Sequence, residues 1–408
     1  MSELTIILIL YLAAKLSLDM LQIYTIRTAK IDNVSANILE ISDKDDIKSR
    51  GYNLSKLYLS VMRNIIYVGW IYLLLSGGLI NYINEYFEQS LFNEYFINLF
   101  TILISFTLVY LSMLPLSYYS TFVIETKYNF NTTPRMLFFR DSLVSVLITL
   151  LILTMLSTVF FSIVLYQNIW WLLMAATIFL FMILSIYIYP TYISPIFNKF
   201  KNLDNTEIEK EIKDLSTRTD FSIENLYIMD KSKRSKHPNA YFTGFKKNRR
   251  IVFYDTLVDL LSPSEIKAVM AHEIGHYKHN HILKSLILTT LVIFLGMYAL
   301  SLLVNNPNYI MALNLPINPA SQLLALVFSY QIISFFIDPF FSIISRKNEY
   351  EADNFASNQV DKEYLISSLV KLYKSNLTFL KPNRLYAMFY FSHPTVLERI
   401  DNLRSHNE

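Results

Sequence analysis

The chain has 408 residues, of which 53% are hydrophobic and 15% aromatic, whereas only 17% are charged. This composition is more apolar and less charged than that of an average soluble protein, and it indicates a membrane protein. The chain has no cysteine, which excludes disulfides, cysteine-ligated zinc and thiol nucleophiles and leaves histidine and carboxylates as metal ligands. The net charge of +3 is small and the basic residues are not interleaved in the pattern of a nucleic-acid-binding surface, so nucleic acid is not expected as a partner.

A transmembrane helix needs about 20 predominantly apolar residues. Seven segments meet this requirement, and the first lacks the features of a cleavable signal peptide. The predicted spans cover residues 5–26, 57–80, 97–119, 142–166, 169–189, 283–304 and 322–345. We therefore predict a mainly α-helical, multi-pass membrane protein with spans one to five at 1–190, a first catalytic part at 191–282, spans six and seven at 283–345 and a second catalytic part at 346–408.

The basic residues predict how the chain is oriented in the membrane. Lysine and arginine occur throughout the segments 27–56, 127–141, 190–282 and 346–408, whereas the alternate segments 1–4, 81–96, 167–168 and 305–320 contain none. By the positive-inside rule, the N-terminus lies outside and both catalytic parts face the cytosol. An odd number of spans agrees with this arrangement. The sequence does not distinguish a bacterial inner membrane from an endoplasmic reticulum membrane.

Residues 272–276 have the sequence HEIGH, a match to the HExxH pattern. Ser262 and Glu265 predict a capping box, and Pro263 is suited to the first helical position, so the motif is placed on a helix. Residues four apart share one helix face, so His272 and His276 can bind one metal ion. Glu273, one position further round, would point at the metal-activated water. This arrangement is typical of zinc peptidases.

A third metal ligand is expected from the other inner segment. After the seventh span, Glu349 and Asp353 are four apart on a predicted helix, which suits one ligand and one carboxylate that orients a metal-bound imidazole. Glu351 falls on a different face and is a weaker candidate. Three ligands from one straight helix cannot surround a tetrahedral ion, so we interpret His279 and His281 as histidines at the membrane interface.

Two further stretches are candidate walls of the site. Residues 240–245 and 250–255 are β-prone and predict a hairpin before the metal helix. An exposed edge there could accept an extended peptide as an added strand, although a purely structural hairpin would have the same pattern. His393, between Ser392 and Pro394, could donate to a developing oxyanion, but helix-capping and surface histidines share this pattern.

Several segments together resemble the type I CAAX prenyl proteases, a family of multi-pass zinc metallopeptidases. The matching segments cover nearly the whole chain and are 124–131, 195–200, 230–242, 250–257, HEIGH at 272–276, Glu349-x-x-x-Asp353 and Ser392-His393-Pro394. The resemblance implies seven helices arranged as a barrel around a water-filled chamber, with a cytosol-facing, zincin-like metalloprotease domain that contains a small sheet.

The resemblance also implies one Zn²⁺ per chain and a set of site residues. The implied ligands are His272, His276 and Glu349, with Glu273 as the general base and Asp353 orienting a ligand. Asn239 and His393 would lie near the scissile carbonyl. We further expect substrate to contact residues on the hairpin and near the C-terminus, namely Asn239, Ala240, Tyr241 and Arg399.

The preferred hypothesis is an integral-membrane zinc metalloendopeptidase that hydrolyses peptide bonds in a peptide or protein substrate. By resemblance, it would remove the C-terminal tripeptide of prenylated proteins. A protease of the same chemistry that cleaves damaged or jammed membrane proteins is an alternative. A transporter or channel with a structural zinc is a third hypothesis, since Lys15, Asp19 and Asp338 are costly inside a membrane. Membrane lipid is an expected partner, and the sequence does not predict the oligomeric state.

Overall fold

A computed structural model describes residues 3–29, 38–166, 168–203, 205–219, 221, 225–243 and 250–405. Short π-helical turns, Ser120–Glu125 and Tyr189–Ile193, extend the third and fifth spans. The remaining elements are, in chain order, α1 (Glu3–Thr28), α2 (Asp43–Leu74), α3 (Leu79–Glu88), α4 (Glu94–Tyr119), α5 (Arg135–Ile163), α6 (Trp170–Ile188), α7 (Ser194–Phe197), β1 (Phe200–Asn202), α8 (Thr206–Thr219), β2 (Asn225–Met229), a 3-10 turn (Lys231–Lys233), β3 (Ala240–Thr243), β4 (Arg250–Tyr254), α9 (Asp255–Val258), α10 (Pro263–Lys278), α11 (His281–Val304), α12 (Pro307–Ala312), α13 (Pro319–Gln359), α14 (Lys362–Ser375), α15 (Arg384–Tyr390) and α16 (Val396–Ser405).

Seven helices among the described residues are long and apolar enough to cross a membrane, which confirms the predicted number of spans. They are α1, α2, α4, α5, α6, α11 and α13. The second span differs most from its prediction. Its helix begins at Asp43 rather than at residue 57, because Ser42 and Asp45 form a capping box at its N-terminus. It ends at Leu74 rather than at residue 80, because Gly78 adopts a left-handed conformation with φ +71°.

The spans are arranged as a barrel. Each span contacts the next one along the chain, and α13 also contacts α4 and α5. The barrel closes where Tyr11 of α1 packs edge-on against Phe335 of α13, with ring centroids 5.6 Å apart. In the most apolar stretches of α5 and α6, only 11% of the residues are buried in protein. Helices of a chambered barrel bury little of their surface, because they face lipid outside and open space inside.

A four-stranded sheet follows the fifth span, with the order β1-β2-β4-β3. The predicted hairpin is present as the antiparallel pair β3 and β4, in which Ala240 lies opposite Phe253. Its connecting residues, 244–249, lie outside the described part of the chain. The pattern analysis missed β1 and β2, because β1 has only three residues and β2 pairs with β4 in parallel across a long separation in the chain. Strand β3 is at the edge of the sheet.

The seventh span and the segment after it form one helix. Helix α13 runs unbroken for 41 residues, so that Glu349 and Asp353 are rigidly attached to a transmembrane segment. Helix α10 lies against α13 and is itself held in a second hydrophobic core, separate from that of the spans, which includes Ile266, Met270 and Ile400. Packing on these two rigid helices fixes the relative positions of the HEIGH motif and the two carboxylates.

Candidate active site

The start of α10 is fixed by the predicted capping box. The backbone N–H of Ser262 donates to Glu265 Oε2 at 2.7 Å, and the backbone N–H of Glu265 donates to Ser262 Oγ at 3.4 Å. Glu265 also accepts hydrogen bonds from Ser367 Oγ at 2.6 Å and from Lys371 Nζ at 2.8 Å, both on α14. The acidic group that caps the helix thus also attaches it to the C-terminal part of the chain.

Gly275, inside the HEIGH motif, lets α10 approach α13 closely. A Cβ atom at this position would lie 2.9 Å from the Cα of Ala352 and 3.0 Å from its carbonyl oxygen. These distances are shorter than van der Waals contact, so only glycine permits this crossing. Ala352 lies directly before Asp353, and the crossing therefore brings the carboxylates of α13 to the histidines of α10.

Three side chains converge at this crossing. The Nε2 atoms of His272 and His276 are 3.1 Å apart. Glu349 Oε1 lies 3.2 Å from His276 Nε2, and Glu349 Oε2 lies 3.5 Å from His272 Nε2. One ligand atom of each residue lies within 4.8 Å of the ligand atoms of the other two, so the three residues could hold one metal ion. Two imidazoles and one carboxylate with an open fourth position are the donor set of catalytic zinc sites.

The buried charge at this crossing supports a cation there. Glu349 is only 4% exposed, and its Oε2 atom has no hydrogen-bond partner among the described residues. Burial and the positive charge of Arg399 oppose protonation of His272, but its interactions with Asp353 and Glu349 outweigh them and raise the pKa of His272 to about 9. The cluster therefore favours a positive charge at the centre of these side chains, which a bound metal ion would supply.

Asp353 orients His272 from behind. Its Oδ1 atom lies 2.8 Å from His272 Nδ1, so the imidazole donates there and turns its Nε2 atom towards Glu349. Arg399 donates to both carboxylate oxygens of Asp353, at 2.8 and 2.5 Å, and its Nη1 lies 3.5 Å from Glu349 Oε2. The structure thus places Arg399 against the carboxylates, with a side chain 11% exposed. A contact between Arg399 and substrate stays a prediction.

His281 joins the site in a way that the pattern analysis missed. Its Nδ1 atom lies 2.9 Å from His276 Nδ1, and its Nε2 atom lies 3.1 Å from Glu351 Oε2. The expectation of one straight helix is wrong, because α10 ends at Lys278 and His281 begins α11, where it is only 4% exposed. Its position at the membrane interface stays a prediction. The signal that could have revealed the turn is Asn280, a residue type that readily adopts the left-handed conformation seen here.

His393 lies on the open side of the cluster. Its Nε2 atom is 3.4 Å from Glu349 Oε1, and its Nδ1 atom is 2.8 Å from Ser392 Oγ. Partial burial lowers the pKa of His393 below its ordinary value of 6.5, while its side chain stays 62% exposed and open to a substrate. The imidazole is therefore neutral at neutral pH. When Ser392 donates to Nδ1, the Nε2 atom carries the proton and can donate to a substrate.

The other predicted site residues lie in two places. Glu273 and His276 line a cavity of about 420 Å³ between α6 and α11. Asn239 is exposed directly before β3, where its Oδ1 accepts from the Ala240 backbone N–H at 2.9 Å. Ala240 and Tyr241 follow on this edge strand. Substrate contacts of Asn239, Ala240 and Tyr241 stay predictions.

Comparison with known proteins agrees with this geometry. Two family models match consecutive parts of the chain: "CAAX prenyl protease N-terminal, five membrane helices" over residues 25–199 and "Peptidase family M48" over residues 202–407. Among curated relatives, a CAAX prenyl protease 1 homolog of Dictyostelium discoideum is 38% identical over 302 residues, covering 71% of this chain and 69% of the relative. CAAX prenyl protease 1 of Saccharomyces cerevisiae is 33% identical over 309 residues, covering 71% and 68%.

A solved structure matches at full length. The crystal structure of S. mikatae Ste24p superposes with a TM-score of 0.89 at 29% sequence identity, covering 99% of both chains. A seven-span barrel, an HExxH helix crossed by a helix with Glu349, and matches over both halves of the sequence all point to one family of membrane-embedded metallopeptidases. The chain belongs to peptidase family M48 and has the five-helix N-terminal region of the CAAX prenyl proteases.

Proposed function

We propose that the bound metal is Zn²⁺ and that His272, His276 and Glu349 hold it for peptide hydrolysis. The observation that carries this proposal is the convergence, at the crossing of α10 and α13, of two Nε2 atoms and the buried Glu349 carboxylate, whose Oε2 atom has no hydrogen-bond partner among the described residues. A structural zinc would be closed by four protein ligands. A three-residue group therefore supports a catalytic role over a transporter or channel with a structural metal.

Each neighbouring residue has a role that follows from its position. A zinc ion held by these three residues would polarise the scissile carbonyl and lower the pKa of the attacking water. Glu273 accepts the proton of that water and delivers it to the leaving amine. His393 donates from Nε2 to the oxygen that gains negative charge, assisted by the exposed amide of Asn239. Asp353, held by Arg399, keeps His272 in the tautomer whose Nε2 lone pair faces the metal.

The substrate proposed for this site is the C-terminal segment of a prenylated protein, from which three residues are removed. The similarity to CAAX prenyl proteases over most of the chain supports this substrate. Among the described strands β3 lies at the edge of the sheet, and such an edge can hold an extended peptide by backbone hydrogen bonds, independently of the peptide's side chains. The lysine and arginine residues of the inner segments support a site facing the cytosol.

A Glu273→Gln variant tests the catalytic proposal. The variant should retain one zinc ion per chain, because glutamine leaves the three ligands intact, but should lose peptide cleavage by at least roughly 100-fold. Glu363→Gln is the matched control, since it makes the same change at an exposed acid in the first turn of α14. Wild-type turnover by the Glu273 variant, or ion flux that requires zinc without proteolysis, would contradict the proposal.

The substrate class needs a separate comparison. A farnesylated CAAX peptide, the same peptide without the prenyl group and an unfolded membrane protein are supplied at equal concentration to the wild-type enzyme. We expect the farnesylated peptide to be cleaved fastest. Equal rates on the lipidated and bare peptides, with rapid cleavage of the unfolded protein, would instead indicate a quality-control protease of the same chemistry.

A further inference from the structure

A second group of potential metal ligands lies beside the proposed zinc site. Helix α10 ends at Lys278, and α11 begins at His281. Between them Asn280 adopts a left-handed conformation with φ +54°, which interrupts the helix and changes the direction of the chain. As a result, the rings of His279 and His281 stack with centroids 5.6 Å apart and planes 16° from parallel. A continuous helix would place His279 and His281 on different faces, whereas here both lie near the same residue of α13.

That neighbour is Glu351, on α13 between the two carboxylates of the first site. Its Oε2 atom lies 3.1 Å from His281 Nε2 and 4.0 Å from His279 Nδ1. Lys347 approaches the other oxygen, Oε1, at 3.9 Å, so that Oε2 remains directed at the histidines. Ligand atoms about 2 Å from a tetrahedral ion lie roughly 3.3 Å from one another. The observed distances lie on both sides of this value, and small side-chain rotations would equalise them.

We propose that His279, His281 and Glu351 form a second, weaker binding site for a divalent transition-metal ion, and that an ion there inhibits the enzyme. Imidazole and carboxylate donors suit zinc and other late first-row metals. His281 is buried, whereas the side chains of His279 and Glu351 are 41% and 32% exposed. Two of the three ligands are therefore accessible to ions from solution, so the site can exchange its ion directly with solvent.

The inhibition follows from the proton on His281 and rests on the proposed function of His276. If His276 binds zinc through Nε2, its Nδ1 atom carries a proton and donates to His281 Nδ1, 2.9 Å away. His281 must then hold its own proton on Nε2 and donate it to Glu351. A metal ion on His281 Nε2 would displace that proton to Nδ1, where it would face the proton of His276. The two rings would be forced apart, and His276 would lose the partner that orients it.

Zinc stoichiometry measured on the full-length protein in detergent tests the second site without reference to activity. At buffered free Zn²⁺ just sufficient for the first site, one ion per chain is expected, and a second should bind as free Zn²⁺ is raised. His279→Ala should weaken the second ion by at least roughly tenfold and leave the first unchanged. Lys278→Ala, at an exposed position next to it, is the matched control and should bind both ions.

Peptide cleavage under the same buffered conditions tests the inhibition. Wild-type activity should fall as the second ion binds, whereas His279→Ala should keep the same basal activity and resist inhibition by at least roughly tenfold higher free Zn²⁺. A wild-type protein that binds only one ion, or a His279 variant that binds the second as tightly as the wild type, would overturn the second site. Two bound ions with no loss of activity would overturn the inhibition alone, and failure of the proposed function would appear separately as no cleavage at any zinc concentration.

Discussion

Gly275→Ala should damage the metal site without touching a ligand. The added Cβ would lie 2.9 Å from Ala352 Cα, whereas ordinary contact begins at 3.4 Å, so α10 and α13 must separate by about half an ångström. Ligand distances in a formed metal site vary by only about 0.2 Å. The separation moves Glu349 relative to His272 and His276 by more than this tolerance. We therefore expect zinc affinity to fall about 10- to 100-fold and the free energy of unfolding to fall by about 1–3 kcal/mol.

Competition with a chromophoric zinc chelator gives the affinity, and thermal unfolding in detergent gives the stability. Gly296→Ala is the matched control, because a Cβ there meets nothing within 4 Å and the residue lies inside helix α11. This control should be neutral or slightly stabilising, since alanine favours a helix over glycine by about 1 kcal/mol. Wild-type zinc affinity and cleavage in the Gly275 variant would refute the role assigned to the close helix crossing.

Three further substitutions test separate parts of the site. Asp353→Asn should lower zinc affinity about 10- to 100-fold, measured by the same chelator competition, because the amide orients His272 less strongly; unchanged affinity would contradict this role. His393→Ala should lower kcat about 100-fold with zinc content at one ion and little change in KM, and an unchanged kcat would remove it from the mechanism. Burial opposes ionisation of Glu265, but its hydrogen bonds with Lys371, Ser367 and Ser262 outweigh that effect and hold the pKa of Glu265 below its ordinary value of 4.5. The ionised carboxylate therefore stabilises the fold above pH 4.5, and this stability is lost as pH falls below that value. Glu265→Gln should lower the free energy of unfolding at pH 7 by about 1–3 kcal/mol and flatten its acid dependence, and thermal unfolding curves as steep in pH as those of the wild type would contradict it.

The sequence by itself was sufficient to predict features that depend on residues close together in the chain. A span is recognised from about 20 consecutive apolar residues, so the number of spans was predicted. The helix ends differ from the prediction, most of all at α2, where Ser42 and Gly78 shift them, and at α13, which continues to Gln359. The spacing of HEIGH places His272 and His276 on one face of any helix, and Ser262 with Glu265 marks where that helix starts. The hairpin β3–β4 pairs neighbouring segments and was equally accessible.

Tertiary structure decided how these parts meet. His272 and Asp353 are 81 residues apart in the chain, and Arg399 reaches Asp353 across 46 more. The hydrophobic periodicity of the sequence does not show that Gly275 packs against Ala352. It also does not show that the chain turns at Asn280 and places His281 within hydrogen-bond distance of His276. Helix propensity depends on neighbours along the chain, so the sequence predicts a straight continuation of α10 where the structure has a turn. Metal coordination and close helix crossing instead depend on distances between segments brought together by packing, and those distances are set only when the two cores form.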